Sequence, residues 1–306
     1  MSRRIGGTAA VPGRSSPEAM RSWTPAGGGW PTRAQGLLFT QGMTPLPDTL
    51  PHTPTMPALF IGHGSPANAL LDTAFTRSLA ALGADMPRPS AVVVVSAHWL
   101  TRGPRVLCTA RPRTLHDFYG FAPELYAVEY PAPGALAIAR ATAALIGVPC
   151  DSAWGLDHAS WAVLRHIFPD ADVPVFEISL DATAHPASHA EFARLLAPLR
   201  ERGVLVVGSG NIVHNIGAMR WEDGAAPYDW AIEFDAWVRD RLLSADIDAL
   251  IRYEDLGEVA DLAVPTDEHY VPLLYTAALR RDGEQLAFTY EGIDLGSVSM
   301  RCVRVG

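Results

Sequence analysis

Ala91-Val92-Val93-Val94-Val95-Ser96-Ala97-His98-Trp99 sets an unbroken, mostly β-branched apolar run directly before a histidine. A run this short and this rich in valine reads as a strand buried on both faces. Outward from it the same arrangement recurs. Ala58–Ile61 stops at Gly62-His63-Gly64-Ser65-Pro66, and Val204–Val207 runs into Gly208-Ser209-Gly210-Asn211 with His214-Asn215 just beyond. Val173–Ser179 and Leu286–Tyr290 have strand texture too. Between them Ala135–Leu145, His189–Glu201 and Trp230–Leu243 carry apolar residues at three- and four-residue spacing. Apolar strands alternating with helices predict a single-domain α/β fold with a largely parallel central sheet, helices on both faces, and a site at the carboxyl ends of the strands.

The 306 residues are 48% hydrophobic and 19% charged, enough to bury a large core. A formal charge of -9 excludes a general nucleic-acid binder, which needs a basic face. No apolar run approaches the ~20 residues of a membrane span. Residues 1–55 differ from the rest: Gly27-Gly28-Gly29 and Pro45, Pro47, Pro51 and Pro54 punctuate a stretch without periodicity. They read as a disordered Pro/Gly-rich extension, with residues 56–306 as the packed domain. Arg3-Arg4 is followed by no apolar segment, so a secretory signal is not expected. Cys108, Cys150 and Cys302 are scattered and match no CxxC spacing. They predict neither a disulfide framework nor a zinc site, and point to a reducing cytoplasm.

Histidines stand where the strands end. His63, His98 and His214 follow three of them. His269, in Thr266-Asp267-Glu268-His269-Tyr270, lies between the Pro265 turn and a helical pattern; His158 ends Gly155-Leu156-Asp157-His158. A single such histidine is usually a cap or a satisfied core residue. Several gathered at one sheet edge form the donor set of a metal, because imidazole binds zinc and iron without burying a charge. Gly62-His63-Gly64-Ser65 and Gly208-Ser209-Gly210 complete neither GxGxxG nor GxxxxGK[ST], which argues against phosphate loops. Ser65 lacks the GxSxG elbow of a hydrolase nucleophile. His52, His166, His185 and His189 read as solvent-facing or packing residues, and His116 as a candidate pocket wall. Trp99, Phe118, Tyr119, Phe121 and Trp161 are candidates for the apolar walls of an aromatic-substrate pocket.

Several segments in order, Met56 to Pro66, Ser96-Ala97-His98-Trp99, Leu115-His116-Asp117-Phe118, Gly155 to His158, Gly208 to Asn215 and Glu268-His269-Tyr270, resemble the class III (LigB-like) extradiol ring-cleavage dioxygenases, in their 4,5-DOPA-cleaving branch. The likeness covers residues 56–306. It implies one divalent metal per chain, Fe(II) for dioxygenase activity or Zn(II) as found in some members. It implies a catechol and O₂ as small-molecule partners, with neither nucleic acid nor membrane. By carry-over, His63, His98 and His269 are metal ligands. His214 is a fourth ligand or the acid–base residue, and His158 lines the substrate site. The family's Gly after the Asp-His pair is Ala159 here. Two rival readings use the same residues: a zinc hydrolase that activates water, and a non-catalytic binding module. Oligomeric state is not encoded in any of these patterns.

Overall fold

The computed structural model describes residues 53–222 and 224–306. Strands β1 (Ala58–Gly62) and β2 (Ala91–Thr101) show why the apolar runs are continuous. Leu59, Ile61, Val92 and Val94 face one core; Ala58, Val93 and Val95 face another. The alternation of a strand is present, but neither face meets water, so both sets are apolar.

The remaining strands are β3 (Val106–Leu107), β4 (Cys150–Asp151), β5 (Val175–Asp181), β6 (Val204–Gly210), β7 (Leu286–Tyr290), β8 (Ile293–Asp294), β9 (Val298–Ser299) and β10 (Cys302–Val305). Eight of them form one sheet in the order β4-β3-β5-β2-β6-β1-β10-β7, and β8 pairs with β9 separately. The central pairs β5–β2, β2–β6 and β6–β1 are parallel; β10 joins β1 antiparallel and brings β7 with it. The longer helices are α1 (Ala74–Asp85), α2 (Leu136–Ile146), α3 (His158–Ile167), α4 (Pro186–Arg194), α5 (Asp229–Leu243) and α6 (Val271–Ala278). Phe75 and Leu79 of α1 and Trp161 and Leu164 of α3 pack on one face of the sheet. Ala139 of α2, Phe192 of α4 and Tyr275 of α6 pack on the other; Phe234 and Val238 of α5 extend that layer over Phe60 and Val303. The result is one α/β domain with a mostly parallel sheet covered on both sides, and β1, β2 and β6 end at the same edge.

Three expectations need correction. The helix read over His189–Glu201 is two pieces, α4 and a short turn Ala197–Arg200 with a proline at its start. Pro198 has no N–H to continue the first helix. Second, Cys108 and Cys150 are joined in a disulfide, with Cα atoms 5.4 Å apart. The parallel pairing of β3 with β4 sets Val106 opposite Cys150, and Cys108 is the next residue on the same face. Two strands of two residues leave no periodicity, so a pair separated by 42 positions was invisible in the spacing. Third, β2 does not stop at Ser96 but continues to Thr101. Most of the predicted extension, and His52 with it, lies outside the described residues; Thr53 N donates to Glu201 O (3.0 Å). No helix among the described residues is long and apolar enough to cross a membrane.

Candidate metal centre

His63 is the first residue after β1, and its N–H donates to Gly210 O (3.0 Å) on the neighbouring strand β6. His98 sits inside β2, where the register with β5 shifts between Val95 and Leu100. Such an irregularity bends a strand and re-aims its side chains. Here it brings His98 Nε2 to 3.3 Å from His63 Nε2. His269 closes a 3₁₀ turn (Asp267–His269) just ahead of α6. Gly210 lies against it: a Cβ there would stand 2.1 Å from His269 O. That glycine exists so the turn can press on the sheet edge, which disposes of a phosphate-loop role.

Two of the three rings are hydrogen-bonded through their other nitrogen, and the third has a carboxylate beside it. Ser209 Oγ donates to Ala159 O (2.6 Å), so it accepts from His63 Nδ1–H (3.1 Å). His269 Nδ1 donates to Glu268 Oε1 (3.0 Å). His98 Nδ1 lies 3.4 Å from Asp117 Oδ2. With Nδ1 engaged, the bare lone pair of each ring is on Nε2. One nitrogen from each of His63, His98 and His269 falls within a 4.8 Å group. Bare lone pairs 3.3 Å apart repel unless a cation lies between them. That spacing is the one adjacent ligands take around an ion holding each nitrogen at ~2.1 Å. The outer partners are those a metal-bound imidazole uses to set its tautomer and orientation.

His158 opens α3, next to the trio: its ring centroid is 4.1 Å from that of His98 and 5.5 Å from that of His63. Asp117 holds it twice, accepting from His158 N and Nδ1, both at 2.9 Å. His214 lies on the other flank, stacked on His269 at 3.5 Å between centroids and 14° between planes. Its ring joins Glu268 and His269 in a separate potential ligand group, as His158 does with Asp117 and His98.

Burial sets the charge state. It pushes the His63 and His98 imidazoles well below their ordinary value, with the surrounding imidazoles adding to the effect. Burial, then His269, brings His214 down to about 3, and burial lowers His269 despite Glu268. All four are neutral bases at pH 7. Burial works against the Glu268 carboxylate, but the interaction with His269, its hydrogen bond first, outweighs it and brings it to about 2. Asp117 is likewise held below its usual value by His158, against the pull of burial. Beneath the site, burial and then Asp117 push Asp157 up to about 6. Glu177, in mid-strand and fully buried, accepts from Asp157 N and from Trp154 Nε1, each at 3.0 Å.

Of the expected aromatic walls, Phe118 reaches the cluster, 5.7 Å from His158, with Phe121 behind it at 5.3 Å. Tyr119 is 92% exposed and faces away. Trp99 and Trp161 are core: Trp99 stacks on Trp154, and Trp161 Nε1 donates to Leu115 O (2.7 Å). His116 bonds Val128 O, His166 bonds Asn68 O, His185 caps α4 and His189 meets Tyr275 Oη. Sequence reasoning passed over Asp117, Ser209 and Glu268. The adjacent pairs Asp117–His116 and Glu268–His269 were a signal that acids sit beside these rings. Nothing in the sequence assigned Asp117 to His158, 41 residues on.

An open, mostly parallel α/β sheet carrying an oriented, neutral histidine trio at its carboxyl edge defines a protein able to receive a divalent metal there. Residues 48–294 match the family described as the catalytic LigB subunit of aromatic ring-opening dioxygenase, and the chain belongs to that family. It is an oxidoreductase of the ring-cleaving dioxygenase class. It is 44% identical over 272 residues to a 4,5-DOPA dioxygenase extradiol of Escherichia coli K12, covering 86% of this chain and 100% of that one. A protein of the same name from Beta vulgaris is 32% identical over 78% of this chain and 92% of its own length. The crystal structure of an uncharacterized Escherichia coli K12 protein superposes with a TM-score of 0.72 at 42% identity, over 82% of this chain and 100% of that one.

Proposed function

We propose that the chain opens the ring of a DOPA-like catechol beside its diol with O₂, using a metal held by His63, His98 and His269. One observation carries this reading: the imidazoles of His63, His98 and His269, two buried and one half-buried, gather one nitrogen each in a single group while Ser209, Asp117 and Glu268 stand at their far sides. Fe(II) bound there supplies coordination positions for the diol and for O₂ and the electrons that pass between them, chemistry that redox-inert zinc lacks.

The chain's own residues handle the protons. Asp117 takes the Nδ1–H of His158, which leaves His158 Nε2 as the acceptor for a catechol hydroxyl proton; the same carboxylate then stabilises the imidazolium. His214, neutral and stacked on His269, is placed on the opposite flank to exchange a second proton as the ring opens. Its ring lies outside the trio's group, which favours this role over that of a fourth ligand. Phe118 offers the substrate ring an apolar contact beside His158. The test is oxygen uptake by Fe(II)- and Zn(II)-loaded protein with a panel of catechols. Equimolar loss of catechol and O₂ in the iron form alone is expected; turnover without oxygen points to a hydrolase, and none with any metal to a binding module.

A further inference from the structure

The arms that carry Asp117 and His158 start from the two halves of the disulfide. Residues 109–117 lead from Cys108 to Asp117, and residues 151–158 lead from Cys150 to His158. They run side by side. Cys108 N donates to Asp151 O (2.7 Å), Leu156 N to Arg113 O (2.9 Å) and Leu115 N to Leu156 O (2.7 Å), with a parallel bridge between Thr114 and Leu156. At the tips Asp117 grips His158. The disulfide and the Asp117–His158 pair are therefore the two ends of one ladder.

The disulfide end of that ladder has few backbone bonds to the sheet, whereas Glu177 and Trp161 hold its inner end through Asp157 N, Trp154 Nε1 and Leu115 O. β4 is the outermost strand on its side of the sheet, and β3 reaches β5 through the single pair Val106–Ile178. Edge units with few backbone bonds open first. The disulfide closes a long loop here, so breaking it returns conformational freedom to both arms. Cys150 is exposed, whereas Cys108 is buried.

We propose that Cys108–Cys150 is a thiol–disulfide exchange site, reduced by a dithiol, that governs how firmly Asp117 presents His158 to the substrate. This rests on the reading of His158 as the proton acceptor. A thiolate of the dithiol attacks Cys150 Sγ; the Cys108–Cys150 bond breaks, and Cys108 leaves as a thiolate that takes a proton. The second thiol of the reductant then displaces Cys150 from the mixed disulfide. Two electrons and two protons pass to the chain, and the dithiol becomes a disulfide. The oxidised form holds the arms in register at both ends; the reduced form leaves the backbone bonds and the side-chain ties near Glu177 and Trp161 to do so.

The experiment uses the full-length, metal-loaded chain with dithiothreitol as the dithiol. Thiol titration in denaturant should count one thiol before reduction, Cys302, and three after it. Catechol turnover per bound metal should fall ~10–100-fold, the usual worth of an outer partner to a metal-site residue. It should recover on reoxidation. Amide exchange at Leu115, Leu156 and His158 should quicken in parallel. A Cys108→Ser/Cys150→Ser double variant should show both effects without reductant. Reduction should cost His158→Gln nothing further. Three thiols before reduction, or unchanged turnover and amide exchange in a chain shown to be reduced, overturns the proposal. A His158→Gln variant with normal turnover refutes the base assignment instead. In that event, amide exchange that still quickens on reduction upholds the clamp, and exchange that does not ends it.

Discussion

The two ends of the parallel strands both bury polar side chains, and they do so in opposite ways. At the amino end Arg200 is fully buried. Its Nε donates to Met56 O (2.7 Å), its Nη1 to Leu279 O (2.6 Å), and the guanidinium meets both oxygens of Glu284 at 2.7 and 3.1 Å. Donors face acceptors, and the group consumes itself. At the carboxyl end the Nε2 atoms of His63 and His98 are two like acceptors, 3.3 Å apart. Buried polar atoms are costly unless partnered. A cluster that exhausts its own bonding is structural; one that gathers nitrogen lone pairs could hold a cation.

The largest effects that could break this comparison are at the trio. Replacing His63, His98 or His269 by alanine should abolish stoichiometric metal binding. The metal-free fold should persist with at most a modest loss of stability, because relief of mutually repelling acceptors is offset by the lost bonds to Ser209 or Glu268. Full metal occupancy in the triple variant, measured by elemental analysis, would refute the assignment. Next in size, His158→Gln should lower kcat by ~10²–10⁴ with metal content intact. A metal-free product would make His158 a ligand. The amino end should respond oppositely. Arg200→Met leaves Glu284 without its buried partner and should cost ~3–5 kcal/mol in denaturant unfolding. Metal bound per folded chain should not change; a loss of metal there would mean the two ends are coupled.

How far the sequence reached follows the same division. The strands β1, β2, β5 and β6 were legible because burial on both faces writes unbroken apolar runs. The histidines were legible because each stands near the end of such a run or turn. Asp117 and Ser209 were not, since a side chain chosen to hold another ring carries no pattern of its own. The Cys108–Cys150 bond was misread because its strands are too short to show a period. Tyr119 was misplaced because an aromatic beside a site residue looks the same whether it turns in or out.

The smallest effect is on the pH dependence of stability. Burial holds folded His63 and His98 well below, and His214 at about 3, whereas unfolded imidazoles protonate near ~6.5. Between these limits the unfolded chain binds more protons, so stability falls as pH drops from ~6.5 towards ~3. Asp157, raised from 3.8 to about 6, acts in the other sense over that interval, because protonation relieves its burial. Burial raises Glu177, Asp267 and Asp294 as well, but the lowered His189 and His269 and the lowered carboxyls Asp117, Glu268 and Glu284 act with His63, His98 and His214, and together they outweigh the four raised carboxyls. Melting of the metal-free chain should therefore decline steadily with acidification; a flat or rising profile would show that the cluster is not buried neutral.

The most direct test is a crystal structure of the Fe(II)-loaded chain with anomalous difference density at the iron edge. The account predicts one peak bonded to the Nε2 atoms of His63, His98 and His269. Asp117, Ser209 and Glu268 should keep their places behind the rings. A peak seated instead among His214, Glu268 and His269, or among His98, Asp117 and His158, would contradict it.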